Sequence, residues 1–385
     1  MSCWQAVIIK IDAEFVIMNR NIGVKIIIYT LLIIIVGLLA LYSAASGNSR
    51  VTVKVFYNQF SFAVIGLFVM LVLSRLDYRK FYDVAYILYI INMLLLVWVL
   101  VAGRHALGAS RWIQIGGVGF QPSEFSKISL ILMLSRYFSN RSIRLNFGML
   151  DKLQKVVVHL IWPFILTAAM MLLIFKQPDL GTALLMFGIF IAIVFASGLA
   201  YKYILGFLII CVSFLPFAWG MLKTYQKNRL LVFLNPNIDP LGAGYTITQS
   251  KIAIGSGQIF GKGWLAGTQN QLNFLPERHT DFIFSVIGEE WGLIGTLILV
   301  FLYFQLIMCG LRVAEQIKDN FGRLTAVGIV SILALQVIIN IGMVMGMFPI
   351  VGLTLPLISY GRSSFFAFII MIGILLNLSH KRSMF

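Results

Sequence analysis

The sequence predicts an all-α polytopic membrane protein with ten transmembrane helices and a large structured loop between helices 7 and 8. Of its 385 residues, 60% are hydrophobic and 11% are charged, and the mean hydropathy is +0.93. Soluble domains average about 25% charged residues, so this composition is that of an integral membrane protein. Several apolar runs reach the roughly 20 residues that a spanning α-helix needs, whereas a membrane β-barrel would show short alternating segments.

Ten apolar runs separated by polar breaks are the predicted spans. Each has about the length needed to cross the hydrocarbon core as a helix. An even number of spans places both chain ends on the same side of the membrane. The runs cover residues 24–43, 57–74, 84–102, 122–139, 157–175, 180–198, 203–221, 281–307, 323–347 and 363–379.

The distribution of Lys and Arg indicates which side that is. Basic residues concentrate in short cytoplasmic loops, so the side that holds more of them is assigned to the cytoplasm. With both termini cytoplasmic (N-in, C-in), seventeen basic residues lie inside and six lie in the short outer loops. The inner residues are Lys10, Arg20, Lys25, Arg75, Arg79, Lys80, Arg136, Arg141, Arg144, Lys152, Lys155, Lys202, Arg312, Lys318, Arg323, Lys381 and Arg382; the outer residues are Arg50, Lys54, Arg104, Arg111, Lys176 and Arg362.

The segment 222–280 is then extracytoplasmic. It is too polar to span a membrane and too long for an idle connector, and loops of this length are usually functional. Closely spaced glycines and two Asn/Asp-Pro steps, at Asn235 and Asp239, predict a structured re-entrant or interfacial region. Together with a cytoplasmic N-terminal segment, 1–23, it is predicted to belong to one membrane domain covering 1–385.

Charge, cysteines and the N-terminus exclude other classes. The net charge of +16 does not indicate nucleic-acid binding, because the basic residues lie in short loops rather than on one basic face. The three cysteines share no metal-like spacing. The first seventeen residues lack the pattern of a signal peptide, and Met18 is an alternative first residue.

Seven of the fourteen carboxylates fall at or near the predicted outer face. A carboxylate inside a membrane costs on the order of 2.5–3.5 kcal/mol by insertion scales, so each needs a partner or a water-filled cavity. One shared polar site at the outer face would explain them together. They are Glu124, Asp179, Asp239, Glu277, Asp281, Glu289 and Glu290.

Several of these carboxylates also have a simpler structural interpretation. Glu124 and Lys127 lie three residues apart on one helix face, where they can neutralise each other. Asp179 and Asp281 each open an apolar helix, where a carboxylate can cap free backbone N–H groups. Glu289 lies about 80° around and roughly 12 Å along the helix from Asp281, which makes it a poor direct partner.

Five strings point to one family. In chain order they are R-W-I-Q-I-G, F-Q-P-S-E-F-S-K, K-Q-P-D-L-G-T-A, F-L-P-E-R-H-T-D-F-I-F and L-P-L-I-S-Y-G. They resemble the SEDS family (shape, elongation, division and sporulation proteins) over nearly the whole chain, from Gly23 to His380. The third and fourth strings look more like the elongation-type members (RodA) than the division-type members (FtsW).

The resemblance implies a peptidoglycan glycosyltransferase that polymerises lipid II at the outer face of the bacterial cytoplasmic (inner) membrane. Its implied partners are a class B penicillin-binding protein and other elongation-complex proteins. It also implies that Asp281 is the essential acidic residue of the large outer loop, and that Glu124, Lys127 and Asp179 line a central outward cavity. The family usually reads S-Y-G-G-S-S where this chain has Arg362; a positive φ would strain Arg there, or its guanidinium adds a phosphate contact.

The implied reaction joins sugars from an undecaprenyl-pyrophosphate donor. It requires a base near the acceptor hydroxyl and positive charge near the leaving group. We expect Asp281 to take the proton or to orient the hydroxyl through a divalent cation, Mg²⁺ or Mn²⁺, with no organic cofactor. His279 is an alternative base. The candidate cations for the pyrophosphate are Arg111, Lys127, Arg229, Lys251, Lys262 and Arg278.

Other functions fit part of this pattern. A lipid II flippase or other transporter is the main alternative, since intramembrane carboxylates and glycine-broken helices suit alternating access. A transporter is expected to show paired broken helices in two related halves, and the sequence shows no convincing repeat of that kind. A division-type polymerase and a scaffold that only recruits a transpeptidase are the remaining alternatives.

Overall fold

The chain is mostly helical in the computed structural model, which describes residues 3–46, 49–106, 109–115, 118–140, 157–240, 242–272 and 274–380. Six of the basic residues counted above lie outside the described residues: Arg141, Arg144, Lys152, Lys155, Lys381 and Arg382. The helices are α1 (Cys3–Ala45), α2 (Ser49–Arg75), α3 (Arg79–Ala102), α4 (Pro122–Ser139), α5 (Trp162–Lys176, entered through a π-helical turn at Val157–Ile161), α6 (Leu180–Ala196), α7 (Tyr201–Ser213), α8 (Leu215–Met221), α9 (Thr224–Leu234), α10 (Ala243–Ser256), α11 (Thr268–Gln271), α12 (Ile283–Gln316), α13 (Asn320–Val344) and α14 (Arg362–His380), with a 3₁₀ turn at Pro236–Ile238.

Each of the ten predicted spans coincides with helix, but not every helix has the length and hydropathy that a membrane crossing requires. The predicted span 203–221 is divided into α7 and α8 at Phe214, just before Pro216, which lacks a backbone donor. The helices α6 and α7 are apolar but short, and α4 carries three charged side chains. Among the described residues, seven helical stretches have the required length and hydropathy: Ile22–Ala45, Lys54–Arg75, Arg79–Ala102, His159–Lys176, Ile283–Gln316, Asn320–Val344 and Arg362–His380.

The two most deeply buried spanning helices, α13 and α14, lie at the centre of the bundle. Within the most apolar 18-residue stretch of each helix, 83% of α14 and 61% of α13 are buried, against 22% of α2. The helix α14 packs against α1, α2 and α4, and α13 packs against α4, α6 and α12. The last two long helices of the chain therefore form the core, and α2 presents most of its apolar surface outward.

A small antiparallel sheet connects α3 to α4, which the all-α prediction missed. Its strands are β1 (Arg104–Ala106), β2 (Ala109–Ile115) and β3 (Val118–Phe120), in the order β1-β2-β3. Trp112 pairs with Arg104, and Ile113 pairs with Phe120. The β-branched and aromatic residues of R-W-I-Q-I favour strand over helix here, and β2 carries Arg111 toward α6.

The segment 222–280 folds back onto α12. Its helix α10 packs against α12, and the residues that follow α10 pair with α12 through backbone hydrogen bonds. The Lys262 N–H donates to Glu289 O (3.0 Å), and the Leu293 N–H donates to Gln258 O (2.9 Å). Gly292 has a non-helical backbone there (φ 64°, ψ −159°), so α12, which covers the predicted span 281–307, is kinked at this point.

Candidate functional site

Asp281 lies in the irregular turn that leads into α12. Its backbone N–H donates to Glu277 O (3.2 Å), and its carbonyl accepts from Asn340 Nδ2 (3.0 Å). The N-cap of α12 is Phe282, and no side chain of the described residues caps that helix. The capping interpretation of Asp281 is therefore wrong, and its half-buried carboxylate is not used to hold the helix.

Two carboxylates and two guanidinium groups set the electrostatics of Asp281. Burial, and then the negative charge of Glu277, raise the pKa of Asp281 from 3.8 to about 6. The positive charge of Arg229 lowers it, Asp179 raises it, and Arg111 lowers it. Asp281 is consequently a stronger base than a free aspartate and is still mostly ionised at neutral pH.

Gly352 lies close to both Asp281 and Arg229. It has a φ of +70°, and a Cβ at this position would lie 3.5 Å from Asp281 Oδ2 and 3.9 Å from Arg229 Nη1. Arg229, exposed on α9, donates from Nη1 to Ile350 O (3.3 Å). A small open cleft begins beside this guanidinium; its walls are Pro178, Leu180, Gln226, Arg229, Leu230, Pro349, Ile350 and Val351.

Asp179 and Arg111 are the other two charged groups that act on Asp281. Asp179 caps α6 by accepting from Thr182 N (3.2 Å), as the capping interpretation predicted, and also from Ser123 Oγ (3.4 Å). The Arg111 Nε donates to Gln177 O (2.9 Å) in the turn before α6. Arg111 therefore fixes the turn that carries Asp179, and both residues contribute charge to the Asp281 site.

Glu124 and Lys127 form a buried pair further inside the bundle. Lys127 Nζ lies 2.8 Å from Glu124 Oε2, and the lysine is fully buried. The ammonium also donates to Gln336 Oε1 (2.9 Å) and lies 5.4 Å from the centre of the Phe368 ring. Gln336 Nε2 in turn donates to Thr354 O (2.8 Å). The self-neutralising interpretation of this pair fits the geometry, with Gln336 as its link to the segment after α13.

Arg278 and His279 precede Asp281 but point to other partners. Arg278 Nε donates to Ala44 O (2.7 Å), and burial lowers the pKa of Arg278. Burial, opposed by Glu277, lowers the pKa of His279, whose ring centre lies 6.1 Å from that of Tyr360. Arg278 thus ties the loop to the end of α1.

The two lysine candidates of the loop lie apart from Asp281. Lys262 Nζ is 2.8 Å from Glu289 Oε1, so this cation is paired with a buried carboxylate of α12. Lys251 lies on α10 with its Cε against Gly346, where a Cβ would be only 2.2 Å away. Neither belongs to the charges that act on Asp281.

Arg362 is the first residue of α14, and it does not have a positive φ. The strain interpretation is therefore wrong, because the first helical position is compatible with any L-residue. Its guanidinium lies over the Phe62 ring at 5.2 Å from the centre, a cation–π contact between α14 and α2.

The described residues contain no cluster of three or more His, Cys, Asp or Glu that could hold a metal ion. The two carboxylates that raise the pKa of Asp281 are Glu277 and, to a smaller extent, Asp179, and Asp179 is engaged in capping. A divalent ion at this site would therefore rely on Asp281 and on phosphate oxygens of a substrate, a binding mode typical of Mg²⁺.

Sequence reasoning missed four residues that build this site. Gln336 and Asn340 are buried amides of α13, and Gly352 and Ser359 lie in the segment between α13 and α14. The available signal was two polar side chains four apart in an otherwise apolar span, which places both on one helix face.

The chain is similar to proteins named as cell-wall polymerases. It is 43% identical over 361 residues to "Peptidoglycan glycosyltransferase MrdB" of Escherichia coli K12, covering 92% of this chain and 94% of that protein. It is 40% identical over 358 residues to "Probable peptidoglycan glycosyltransferase FtsW" of Geobacter metallireducens, covering 90% and 91%. Relatives with elongation-type and division-type names are therefore both close in sequence.

Two solved structures share the fold. One, from work on "Structural coordination of polymerization and crosslinking by a peptidoglycan synthase complex", has a TM-score of 0.76 and 32% identity, and the match covers 93% of this chain and 97% of that chain. A mutant of the Thermus thermophilus rod shape determining protein RodA has a TM-score of 0.68 and 30% identity, with 93% and 97% covered. The family described as "Cell cycle protein", which groups FtsW, RodA and SpoVE, matches residues 24–384. The motifs, the fold and these matches agree: the chain is a multi-pass membrane protein that belongs to this family, the SEDS family.

Proposed function

We propose that this protein is a peptidoglycan glycosyltransferase that polymerises lipid II into β-1,4 glycan strands during cell elongation and shape maintenance. The observation that carries the proposal is the Asp281 site. Its carboxylate is half-buried, caps no helix, and has a pKa of about 6 under the influence of two guanidinium groups. Relatives named for this activity, and the elongation-type motifs of the chain, support the choice of substrate and process.

The site supplies both parts that the reaction needs. Asp281 accepts the proton of the acceptor GlcNAc 4-hydroxyl, while the oxygen of that hydroxyl attacks C1 of the donor sugar. The bond from C1 to the pyrophosphate oxygen breaks, and the leaving undecaprenyl pyrophosphate carries the electron pair. Arg229 and Arg111 provide positive charge close to Asp281 for that developing negative charge.

A divalent cation, Mg²⁺ or Mn²⁺, is part of the proposal. When bound, it would neutralise pyrophosphate charge, and Asp281 is the residue in a position to hold it together with substrate oxygens. Asp281, Arg229 and Arg111 would orient the substrates in either case.

We further propose ten membrane crossings with both termini in the cytoplasm. In the part of the chain that the structure describes, seven stretches are long and apolar enough to cross by themselves, and α4, α6 and the α7–α8 pair occupy the three other predicted spans. The polar site involves the starts of α4, α6 and α12, which under this topology all face the outer side of the bacterial inner membrane. That placement suits a substrate used outside the cell.

A class B penicillin-binding protein is the proposed partner, with other elongation-complex proteins. A transpeptidase must act on the strands that this enzyme makes, and the solved relative comes from work on a synthase complex that coordinates polymerisation with crosslinking. The membrane and lipid II are the remaining proposed partners.

Reconstituted protein tests the function directly. Purified wild type and the Asp281→Ala variant are incubated with lipid II in liposomes, with and without the partner, and glycan strands are separated by length. Asp319→Ala is the matched control, since Asp319 caps α13 through Gly322 N (2.8 Å) and lies outside the site. We expect polymer from wild type and control only. Polymer from Asp281→Ala at the wild-type rate contradicts the assignment of the base, and lipid movement without polymer supports a transporter.

A further inference from the structure

Three consecutive backbone carbonyls of the turn that ends at Asp281 accept hydrogen bonds from residues far along the chain. His279 O accepts from the Tyr360 N–H (2.8 Å), and Thr280 O accepts from the Ser359 hydroxyl. Asp281 O accepts from Asn340 Nδ2 (3.0 Å). We call these three donors the carbonyl clamp. All belong to α13 or to the segment after it, which follow Asp281 by about sixty to eighty residues in the chain.

Asn340 is the most constrained member of the carbonyl clamp. Its Nδ2 donates to two carbonyls, Asp281 O and Leu353 O (2.6 Å), so it joins the turn to the segment between α13 and α14. Leu353 is next to Gly352, which lies close to both Asp281 and Arg229. The same segment supplies Ile350 O, which accepts from Arg229. One amide therefore joins the acidic turn to the segment that binds the guanidinium.

Asn340 occupies its position at an energetic cost. Asn340 is fully buried, and its Oδ1 has no hydrogen-bond partner among the described residues. A buried polar atom without a partner is destabilising, and an apolar side chain of the same shape would avoid that loss. The two bonds donated by Nδ2 are what an apolar residue cannot provide.

We propose that Asn340 is a positioning residue that sets the Asp281 carboxylate relative to Arg229, and that Ser359 contributes to the same positioning through Thr280 O. This inference rests on the proposed glycosyltransferase function. Misplacing a reacting group by about 1 Å can cost on the order of 100-fold in rate without changing substrate affinity. The carbonyl clamp acts on the backbone of Asp281, so its loss changes the rate constant of the reaction more than substrate binding.

The central experiment compares Asn340→Leu with Asn377→Leu. Asn377 is the matched control: it is equally buried on α14, its Nδ2 donates to Leu73 O and Leu76 O (both 2.7 Å), and its Oδ1 also lacks a partner. Both variants are purified in detergent, their melting temperatures are measured, and lipid II polymerisation is followed across pH. The two substitutions remove the same chemistry from different ends of the bundle.

We expect Asn340→Leu to lower kcat about 10- to 100-fold with KM for lipid II within about twofold. We also expect the acidic limb of its pH–rate profile to move to lower pH, because a released Asp281 gains water and its pKa falls toward the ordinary value. Asn377→Leu should show a similar loss of thermal stability with a wild-type kcat and pH profile. Ser359→Ala should shift kcat and the pH limb in the same direction by a smaller factor, and it provides the test if Asn340→Leu does not fold.

Three outcomes overturn the inference: a wild-type kcat in the folded clamp variant, an unmoved pH limb, or an equal loss of kcat in Asn377→Leu. Asp281→Asn in the same assay separates this inference from the function on which it rests. If Asp281→Asn polymerises normally, the proposed function fails; if it is inactive while the clamp variants are normal, only the positioning role fails.

Discussion

Asp281 and Glu289 are acidic residues of one segment, the first in the turn before α12 and the second within α12, and their surroundings are opposite in kind. Glu289 is fully buried, and its Oε1 accepts from Lys262 Nζ (2.8 Å), Thr268 Oγ1 (3.1 Å) and the Gln269 N–H (3.0 Å). Asp281 is half-buried, and no hydrogen bond to its carboxylate oxygens forms among the described residues. Glu289 Oε2 has no hydrogen-bond partner among the described residues, but the three donors on Oε1 make this carboxylate part of the structure. The carboxylate of Asp281, which accepts from none of the described residues, is available to a substrate.

Glu290, the neighbour of Glu289, belongs to the structural side of this comparison. It accepts a hydrogen bond from the Ser43 hydroxyl of α1. Its carbonyl accepts from the Gly263 N–H (3.0 Å) of the loop. Glu289 and Glu290 together attach the loop after α10 to α12 and α1. This agrees with the sequence argument that helix geometry separates Glu289 from Asp281.

The largest expected effect is on activity. Asp281→Asn should lower lipid II polymerisation by about 100-fold or more, because a positioned general base contributes ~10²–10⁴-fold. Glu289→Gln should leave the specific activity of the folded protein within about threefold. Both rates are measured with equal amounts of folded, monodisperse protein. Equal losses in the two variants would remove the functional distinction between the carboxylates.

The reverse contrast is expected in stability. Glu289→Ala leaves donors of the loop without an acceptor, and each such loss costs about 1–3 kcal/mol, so we expect a total of roughly 2–4 kcal/mol. Glu315→Ala, at an exposed position of the same helix, is the control and should change stability by less than about 0.5 kcal/mol. Thermal unfolding in detergent measures both.

Asp281→Asn should not destabilise the fold. The pKa of Asp281 is raised on folding, so its contribution to stability is largest below the unfolded pKa and is lost as pH rises from 3.8 to about 6. At neutral pH the ionised side chain is therefore unfavourable, and a neutral Asn relieves this. A melting temperature clearly below wild type would contradict this part of the comparison.

Gly352→Ala tests the spacing between acid and guanidinium. An added Cβ would lie 3.5 Å from Asp281 Oδ2, and the φ of +70° costs an L-residue roughly 1–2 kcal/mol. We expect polymerisation to fall about tenfold. The control is Gly198→Ala, with a φ of +90° and nothing within 4 Å of its Cβ position, which carries the strain without the contact. Similar activities of the two variants would show that the spacing is unimportant.

The smallest expected effect is a shift of the pH–rate profile. Because Asp281 must be ionised to act as a base, activity should rise through a pH of about 6. Arg229 lowers the pKa of Asp281, so Arg229→Gln should move this limb to higher pH; Glu277 raises it, so Glu277→Gln should move the limb to lower pH. Lys202→Gln, at the start of α7, is the control and should leave the limb in place. Shifts in the same direction would contradict the electrostatic account.

Much of the molecule follows from local patterns in the sequence. Apolar runs located the helices, because a spanning segment must satisfy its backbone internally and be apolar over about 20 residues. Carboxylates in such a chain are costly enough to mark Asp179, Glu124 and Asp281 as residues that need partners. The cap at Asp179 and the pair formed by Glu124 with Lys127 depend on residues three apart, and both lie in the structure as their spacing indicated.

The tertiary structure decided which carboxylate is available and what holds it. The local sequence separates Asp281 from Glu289 along the helix but does not show which carboxylate is bonded. That depends on whether distant residues supply donors: Lys262 reaches the carboxylate of Glu289, whereas the carbonyl clamp reaches backbone carbonyls of the turn and not the carboxylate of Asp281. The kink at Gly292 likewise depends on the approach of the loop after α10. By itself the sequence determined the helices, the local pairs and the family. Contacts between residues far apart in the chain are set by how the helices pack, and these alone decided the surroundings of Asp281.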